Sequence, residues 1–166
     1  MGVGVVERKG TRLVYVMAET LVAPEKASLD RRLLIMHQGL ARIIAETKPD
    51  AVAVEDLFFA KHMTGALKLA QARGVALLAG ALAELPVASY APALVKRTVA
   101  GRGGSDKAQV ARLVGAILGL TELPGKDATD ALAIAITHAQ ATRRAVPMPS
   151  AAVKKKGNRA MKVKAR

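Results

Sequence analysis

Residues 51–57 read Ala-Val-Ala-Val-Glu-Asp-Leu, a short apolar run that ends in two acids. A run of small and β-branched residues of this length is typical of a strand buried in a sheet. A buried strand carries a carboxylate only when a cation or a metal ion balances the charge. Taken alone, Glu55 or Asp56 fits the exposed end of such a strand equally well. The stretch therefore predicts a strand of a sheet. Its acids either bind a cation or a metal ion, or simply mark the exposed end of the strand.

Strand and helix patterns alternate on both sides of this stretch. The predicted elements are a hairpin of residues 3–7 and 13–22, a helix of 28–48, strand 51–57, a helix of 64–85, strand 87–90, and helices that begin at Pro92, at a Ser105 cap and at Asp127. Early strands followed by helices that alternate with strands indicate an α/β fold, with a mixed sheet flanked by helices.

The composition is that of one compact domain. The chain has 166 residues, of which 51% are hydrophobic, and this suffices for a single core. Cysteine is absent, which excludes disulfides and thiolate metal sites. No uncharged apolar run approaches the roughly 20 residues that a membrane-spanning helix needs. With no leader pattern after Met1, we expect a cytoplasmic protein without a membrane partner.

Positive charge is concentrated at the C-terminal end. The formal net charge is +13, and nine of the 26 Lys and Arg but none of the 13 Asp and Glu follow Asp130. We expect residues 1–146 to form the folded domain and residues 147–166 to form a disordered basic tail. Such a tail either contacts nucleic acid by releasing counterions or keeps the protein soluble, and the sequence favours neither.

Asp127 and Asp130 stand three residues apart at the start of the last helix, so both carboxylates lie on one face. Each also fits a capping position favoured by the helix dipole. Together with Glu55 they suit Mg²⁺, which binds a few carboxylates and substrate phosphate and can assist phosphodiester hydrolysis. His138 lies about 16 Å from Asp127 along such a helix, and we predict a structural role for it.

The aromatic residues suggest contact with nucleic acid. Phe58 and Phe59 are adjacent, and they cannot both face the same side of an extended segment. One of them suits the core, and the other suits a wedge or a stacking platform against bases. Lys61 and Arg73 follow in the sequence and are candidate DNA contacts. Each cation taken singly also fits a solvated surface charge.

Four segments together carry a resemblance to a known family. They are Ala-Val-Glu-Asp-Leu-Phe-Phe-Ala-Lys at 53–61, Ala-Leu-Lys-Leu-Ala-Gln-Ala-Arg-Gly-Val-Ala at 66–76, Val-Lys-Arg-Thr-Val-Ala-Gly at 95–101 and Asp-Ala-Thr-Asp-Ala-Leu-Ala-Ile-Ala at 127–135. The sequence resembles RuvC, the bacterial Holliday-junction resolvases, from about Gly2 to about Ala141. The resemblance implies an RNase H-like fold, a homodimer, paired symmetric Mg²⁺-dependent nicking of four-way junction DNA in recombination and repair, and partnership with the RuvA–RuvB branch-migration complex.

The resemblance also implies roles for individual residues. Its catalytic acids, which would hold two Mg²⁺ ions per subunit, are Glu55, Asp127 and Asp130. It implies that one of the adjacent phenylalanines enters the junction and that two lysines contact phosphates near the cleavage site. With the neighbouring cations, the candidate DNA-binding residues are Phe58, Phe59, Lys61, Arg73, Lys96 and Lys107.

One departure from the family pattern affects both fold and activity. The family's first strand, which is central in the sheet and ends in a Gly-Ile-Asp-Pro-Gly-like motif, would precede Gly2, and no acid stands before Glu7. We expect its neighbouring strands to lack a partner, and a start about a dozen residues too late explains the difference. Without the acid of that strand, this chain should cleave poorly or not at all. The alternatives are a catalytically inactive protein that binds junctions or DNA, and a structural protein tethered to RNA by its tail.

Overall fold

The computed structural model describes residues 1–56 and 63–144. The elements in these ranges are β1 (Gly2–Lys9), β2 (Arg12–Thr20), α1 (Leu29–Thr47), β3 (Val52–Glu55), α2 (Met63–Leu82), β4 (Val87–Tyr90), α3 (Pro92–Ala100), α4 (Lys107–Leu118) and α5 (Lys126–Arg144). Their order confirms the predicted α/β alternation. Among these helices, none combines the length and the apolar composition needed to cross a lipid bilayer.

The strands form two separate two-stranded sheets. β1 and β2 are an antiparallel hairpin with a register shift between Val5 and Val6. β3 and β4 are parallel and pair from Val52 with Val87 to Glu55 with Tyr90. Within the described residues, β1 pairs with β2 alone and β3 with β4 alone. A two-stranded ladder of this size is marginal by itself and depends on the helices that cover it.

Helix α5 joins the two sheets, because it contacts all four strands as well as α3 and α4. Leu132 and Ile136 lie one turn apart on its inner face, and both are completely buried. They form one core with Ala133 and with valines and a leucine of α3 and α4, namely Val95, Val99, Val110, Val114 and Leu118. Since Asp127 and Asp130 occupy the first turns of the same helix, the core also determines where these acids lie.

Two glycines of β1 allow α5 to approach the hairpin closely. A Cβ atom at Gly2 would overlap the backbone carbonyl oxygen of Asp127, and one at Gly4 would lie 2.8 Å from the backbone nitrogen of Leu132. Any side chain at these positions would displace the helix, because real Cβ contacts are longer than 3 Å. The glycines of the first strand therefore help to set the position of the acids on α5.

The start of α4 differs from its prediction. The sequence predicts a Ser105 cap, but the N-cap is Asp106, whose carboxylate accepts a hydrogen bond from the Gln109 backbone N–H at 2.7 Å. Ser105 is buried one residue earlier, at 5% exposure. Asp and Ser are about equally good caps, so propensity could not choose between adjacent candidates.

Candidate active site

Glu55 is the last residue of β3 and lies beside Tyr90, the last residue of β4. The Asp56 N–H donates to the Tyr90 carbonyl at 2.9 Å, which closes the ladder just beyond Glu55. Partial burial raises the pKa of Glu55, the negative charge of Asp130 raises it further, and Lys107 opposes both.

Lys107 approaches the same acids from α4. Its Nζ lies 3.3 Å from Oδ2 of Asp130, and both side chains are about half exposed or more. An exposed ion pair of this kind contributes only about 0–1 kcal/mol, so it is easily exchanged for another partner. The fold thus brings Asp130 and Lys107 into contact from two helices, and the charges of both act on Glu55 at the end of β3.

Asp127 lies on the exposed first turn of α5. Across residues 1–56 and 63–144, no three His, Asp or Glu side chains converge into a group that could hold a metal ion. The three predicted acids therefore do not form a closed ligand set in this structure. Glu55 and Asp130 still fit Mg²⁺, because this ion takes one or two carboxylates and fills its remaining positions with water and substrate phosphate. A cation between them would also relieve their repulsion.

Arg73 is partly buried against the ends of β3 and β4, with a side chain that is 22% exposed. Its Nε donates to the Glu55 carbonyl oxygen at 3.2 Å, and its Nη2 donates to Ser89 Oγ at 2.8 Å. Nη2 also lies 3.5 Å from Oδ1 of Asp56. The sequence did not predict these contacts, although Ser89 lies within the predicted strand 87–90.

The structure describes only some of the predicted DNA-binding residues, and these differ in their contacts. Phe58, Phe59 and Lys61 lie outside the described residues. Lys96 is half-buried on α3. Arg73 and Lys107 are the two cations of the predicted set for which the structure shows a contact with Glu55 or Asp130.

His138 has the structural role that its position on α5 predicts. Its Nδ1 lies 2.8 Å from Tyr90 Oη, and the two rings meet edge to face. Partial burial lowers the pKa of His138, and the positive charge of Arg8 lowers it further, so the neutral ring is favoured. This contact ties the middle of α5 to the end of β4.

Within the described residues, Glu55 and Asp127 are exposed and Asp130 is partly exposed. A groove of about 850 Å³ lies elsewhere and is lined in part by Arg8, Arg12 and Ala139. Ala139 is about 18 Å from Asp127 along α5 at 1.5 Å per residue. Small-molecule sites are usually concave and enclose most of their ligand. Exposed acids beside a lysine suit a large, anionic substrate better.

Comparison with known proteins identifies the family. The family model for crossover junction endodeoxyribonuclease RuvC matches residues 1–138. The RuvC of Azorhizobium caulinodans is 49% identical over 138 residues, which are 83% of this chain and 82% of that protein. The RuvC of Rhodopseudomonas palustris is also 49% identical, over 83% of this chain and 79% of its own length.

Solved structures agree with the sequence relatives. The structure of Thermus thermophilus RuvC in complex with a Holliday junction substrate is 37% identical, with a TM-score of 0.80, and the match covers 86% of this chain and 87% of that one. The Thermus thermophilus RuvC structure matches with a TM-score of 0.76, the same identity and the same coverage. These matches confirm the RNase H-like fold that the resemblance implied. The chain belongs to the RuvC family of crossover junction endodeoxyribonucleases.

Proposed function

We propose that this protein resolves Holliday junctions by paired, symmetric, Mg²⁺-dependent nicks during recombination and repair. The observation that carries the proposal is the exposed Asp130–Lys107 ion pair, whose two charges also act on Glu55 at the end of β3. Carboxylates that hold metal ions are the groups that metal-dependent phosphodiester hydrolysis uses, and a neighbouring lysine suits the phosphate. The RuvC relatives, one of them solved with a Holliday junction substrate, support the junction as the substrate.

The proposed metal site uses this chain's own oxygen ligands. Glu55 and Asp130 would hold Mg²⁺, and Asp127, three residues earlier on α5, is proposed to join them when substrate is bound. Bound Mg²⁺ would activate water and offset negative charge on the phosphate. Two ions would stabilise both the attacking and the leaving oxygen. Lys107 would release its ion pair with Asp130 and bind a phosphate oxygen of the scissile strand instead.

The remaining partners are proposed from charge and family membership. The net charge of +13 supports binding to a polyanion, with Lys61, Lys96 and one of the two adjacent phenylalanines as contacts. We propose that residues 1–146 are the nuclease domain and that residues 147–166 are a basic tail. Membership in the family supports action in the cytoplasm together with the RuvA–RuvB complex.

The surface of α2 supports a homodimer. This helix is rich in Ala and Leu and carries few polar residues, so it has more apolar surface than its own core contacts need. Leu67, Leu78 and Leu82 are 60%, 52% and 65% exposed and share one face at 100° per residue. Gly74 lies on the same face, with open space where its Cβ would be. We propose that this leucine face of α2 packs against the same face of a second copy about a two-fold axis.

Leu78→Asp is expected to convert the dimer to a monomer, with association at least about tenfold weaker, because a charge would be buried without a partner. Sedimentation equilibrium of the wild type and the variant measures this change. The matched control is Leu69→Asp on the opposite side of α2, where the leucine is 47% exposed. A monomeric wild type, or an equal effect of both substitutions, would contradict the proposed surface.

The activity itself is tested with a labelled four-way junction and a linear duplex of the same sequence, in Mg²⁺ and with enzyme in excess. Excess enzyme allows slow cleavage to be measured in a single turnover. We expect nicks at matching positions on opposite strands of the junction and far less cutting of the duplex. Equal cutting of both substrates would rule out junction selectivity, and tight binding without nicks would rule out the nuclease.

A further inference from the structure

We propose that Arg73 is a positioning residue that holds Glu55 in place for metal binding, rather than a contact to DNA. The inference deepens the proposed function and rests on Glu55 being a metal ligand. It starts from the three acceptors that surround the guanidinium: the Glu55 carbonyl oxygen, Ser89 Oγ and the Asp56 carboxylate. These acceptors belong to the ends of both strands of one parallel pair.

The β3–β4 ladder needs such a support because it is short. Each strand has four residues, and Glu55 and Tyr90 form its last pair. Terminal pairs fray easily, since a short two-stranded sheet is marginal in water. Arg73 connects both strand ends to α2, so it restrains the backbone that carries the Glu55 side chain. Asp130 is held independently by α5, and the distance between the two acids therefore depends on this restraint.

The contacts use the forked geometry of arginine. Nε and Nη2 donate to acceptors on different strands. The Asp56 carboxylate offsets part of the positive charge of the guanidinium. Lysine offers a single ammonium on a flexible stem and cannot reproduce such a fork. Because the side chain is only 22% exposed and two of its nitrogens already have acceptors, little of it is available to a DNA phosphate.

The test compares Arg73→Lys and Arg73→Ala with Arg112→Ala, which removes an exposed cation from α4. Mn²⁺ affinity of the free protein is measured from the electron paramagnetic resonance of unbound Mn²⁺. Junction affinity is measured in EDTA, where no divalent ion contributes. Substituting a residue that orients a metal ligand typically weakens metal binding about 10- to 100-fold. We expect at least about a tenfold loss of Mn²⁺ affinity in both Arg73 variants and none in Arg112→Ala.

Junction affinity in EDTA separates positioning from DNA contact. For a positioning residue, both Arg73 variants bind the junction no more weakly than Arg112→Ala does. For a phosphate contact, Arg73→Ala lowers affinity with a reduced salt dependence, and Arg73→Lys restores it because the charge remains. That second pattern would overturn the inference.

Other outcomes are also decisive. Unchanged Mn²⁺ affinity in the Arg73 variants, or a wild type that binds no Mn²⁺, overturns the positioning role. If Arg73→Ala does not fold, Arg73→Lys carries the same comparison. If the wild type cuts no junction while Arg73→Lys still loses Mn²⁺ affinity, the proposed function fails but the positioning role stands.

Discussion

Glu55→Gln is expected to lower the rate of junction cleavage about 1,000-fold, while junction affinity in EDTA does not decrease. A bound metal ion supplies several kcal/mol of transition-state stabilisation, and each 1.36 kcal/mol corresponds to about a tenfold change in rate. Glutamine keeps the shape of the side chain but removes the charge that both opposes Asp130 and would hold a cation. Single-turnover cleavage of a labelled junction in Mg²⁺ measures the rate.

Glu84→Gln is the matched control, because Glu84 is an exposed glutamate in the turn after α2. It removes the same charge by the same chemical change and should leave cleavage as in the wild type. A loss of less than about tenfold in Glu55→Gln would show that Glu55 is not a required metal ligand. An equal loss in both variants would mean that net charge, rather than the site, controls the rate.

Leu132→Ala is expected to lower the free energy of unfolding by about 3 kcal/mol, within the 2–5 kcal/mol found for buried leucines. Leu132 has 0% exposure and lies in the core shared by α3, α4 and α5, directly against Gly4 of β1. The truncated side chain would leave a cavity between the hairpin and the helix that carries the acids. Because total stability is typically about 5–15 kcal/mol, this loss is large, and urea titration followed by circular dichroism measures it.

Leu29→Ala provides the comparison for this core substitution. Leu29 begins α1 and is 48% exposed, so the same truncation removes little buried surface. We expect a change within about 0.5 kcal/mol, as is usual for surface positions. If the two substitutions cost the same, α5 is not the centre of the core that its burial indicates.

Local patterns in the sequence predicted most of the elements. The hairpin, the start of α3 at Pro92 and the strand 87–90 are observed as predicted, because alternation, turn residues and proline act within a few residues. Glu55 at the end of an apolar run and Asp130 on the last helix were also identified as site candidates. These features could be predicted because they depend only on residues that are close together in the sequence.

Long-range contacts decided the rest. Only the folded chain shows that the charge of Asp130 acts on Glu55 and that Arg73 contacts both β3 and β4. Only it shows that Asp127 does not complete a ligand set with the other two acids within the described residues. Each of these depends on helices and strands far apart in sequence, whose approach is set by side-chain volume and by Gly2 and Gly4. The sequence by itself determined the elements and the types of chemical group. The tertiary structure decided which groups meet, because packing distances of a few ångströms are not encoded by local periodicity.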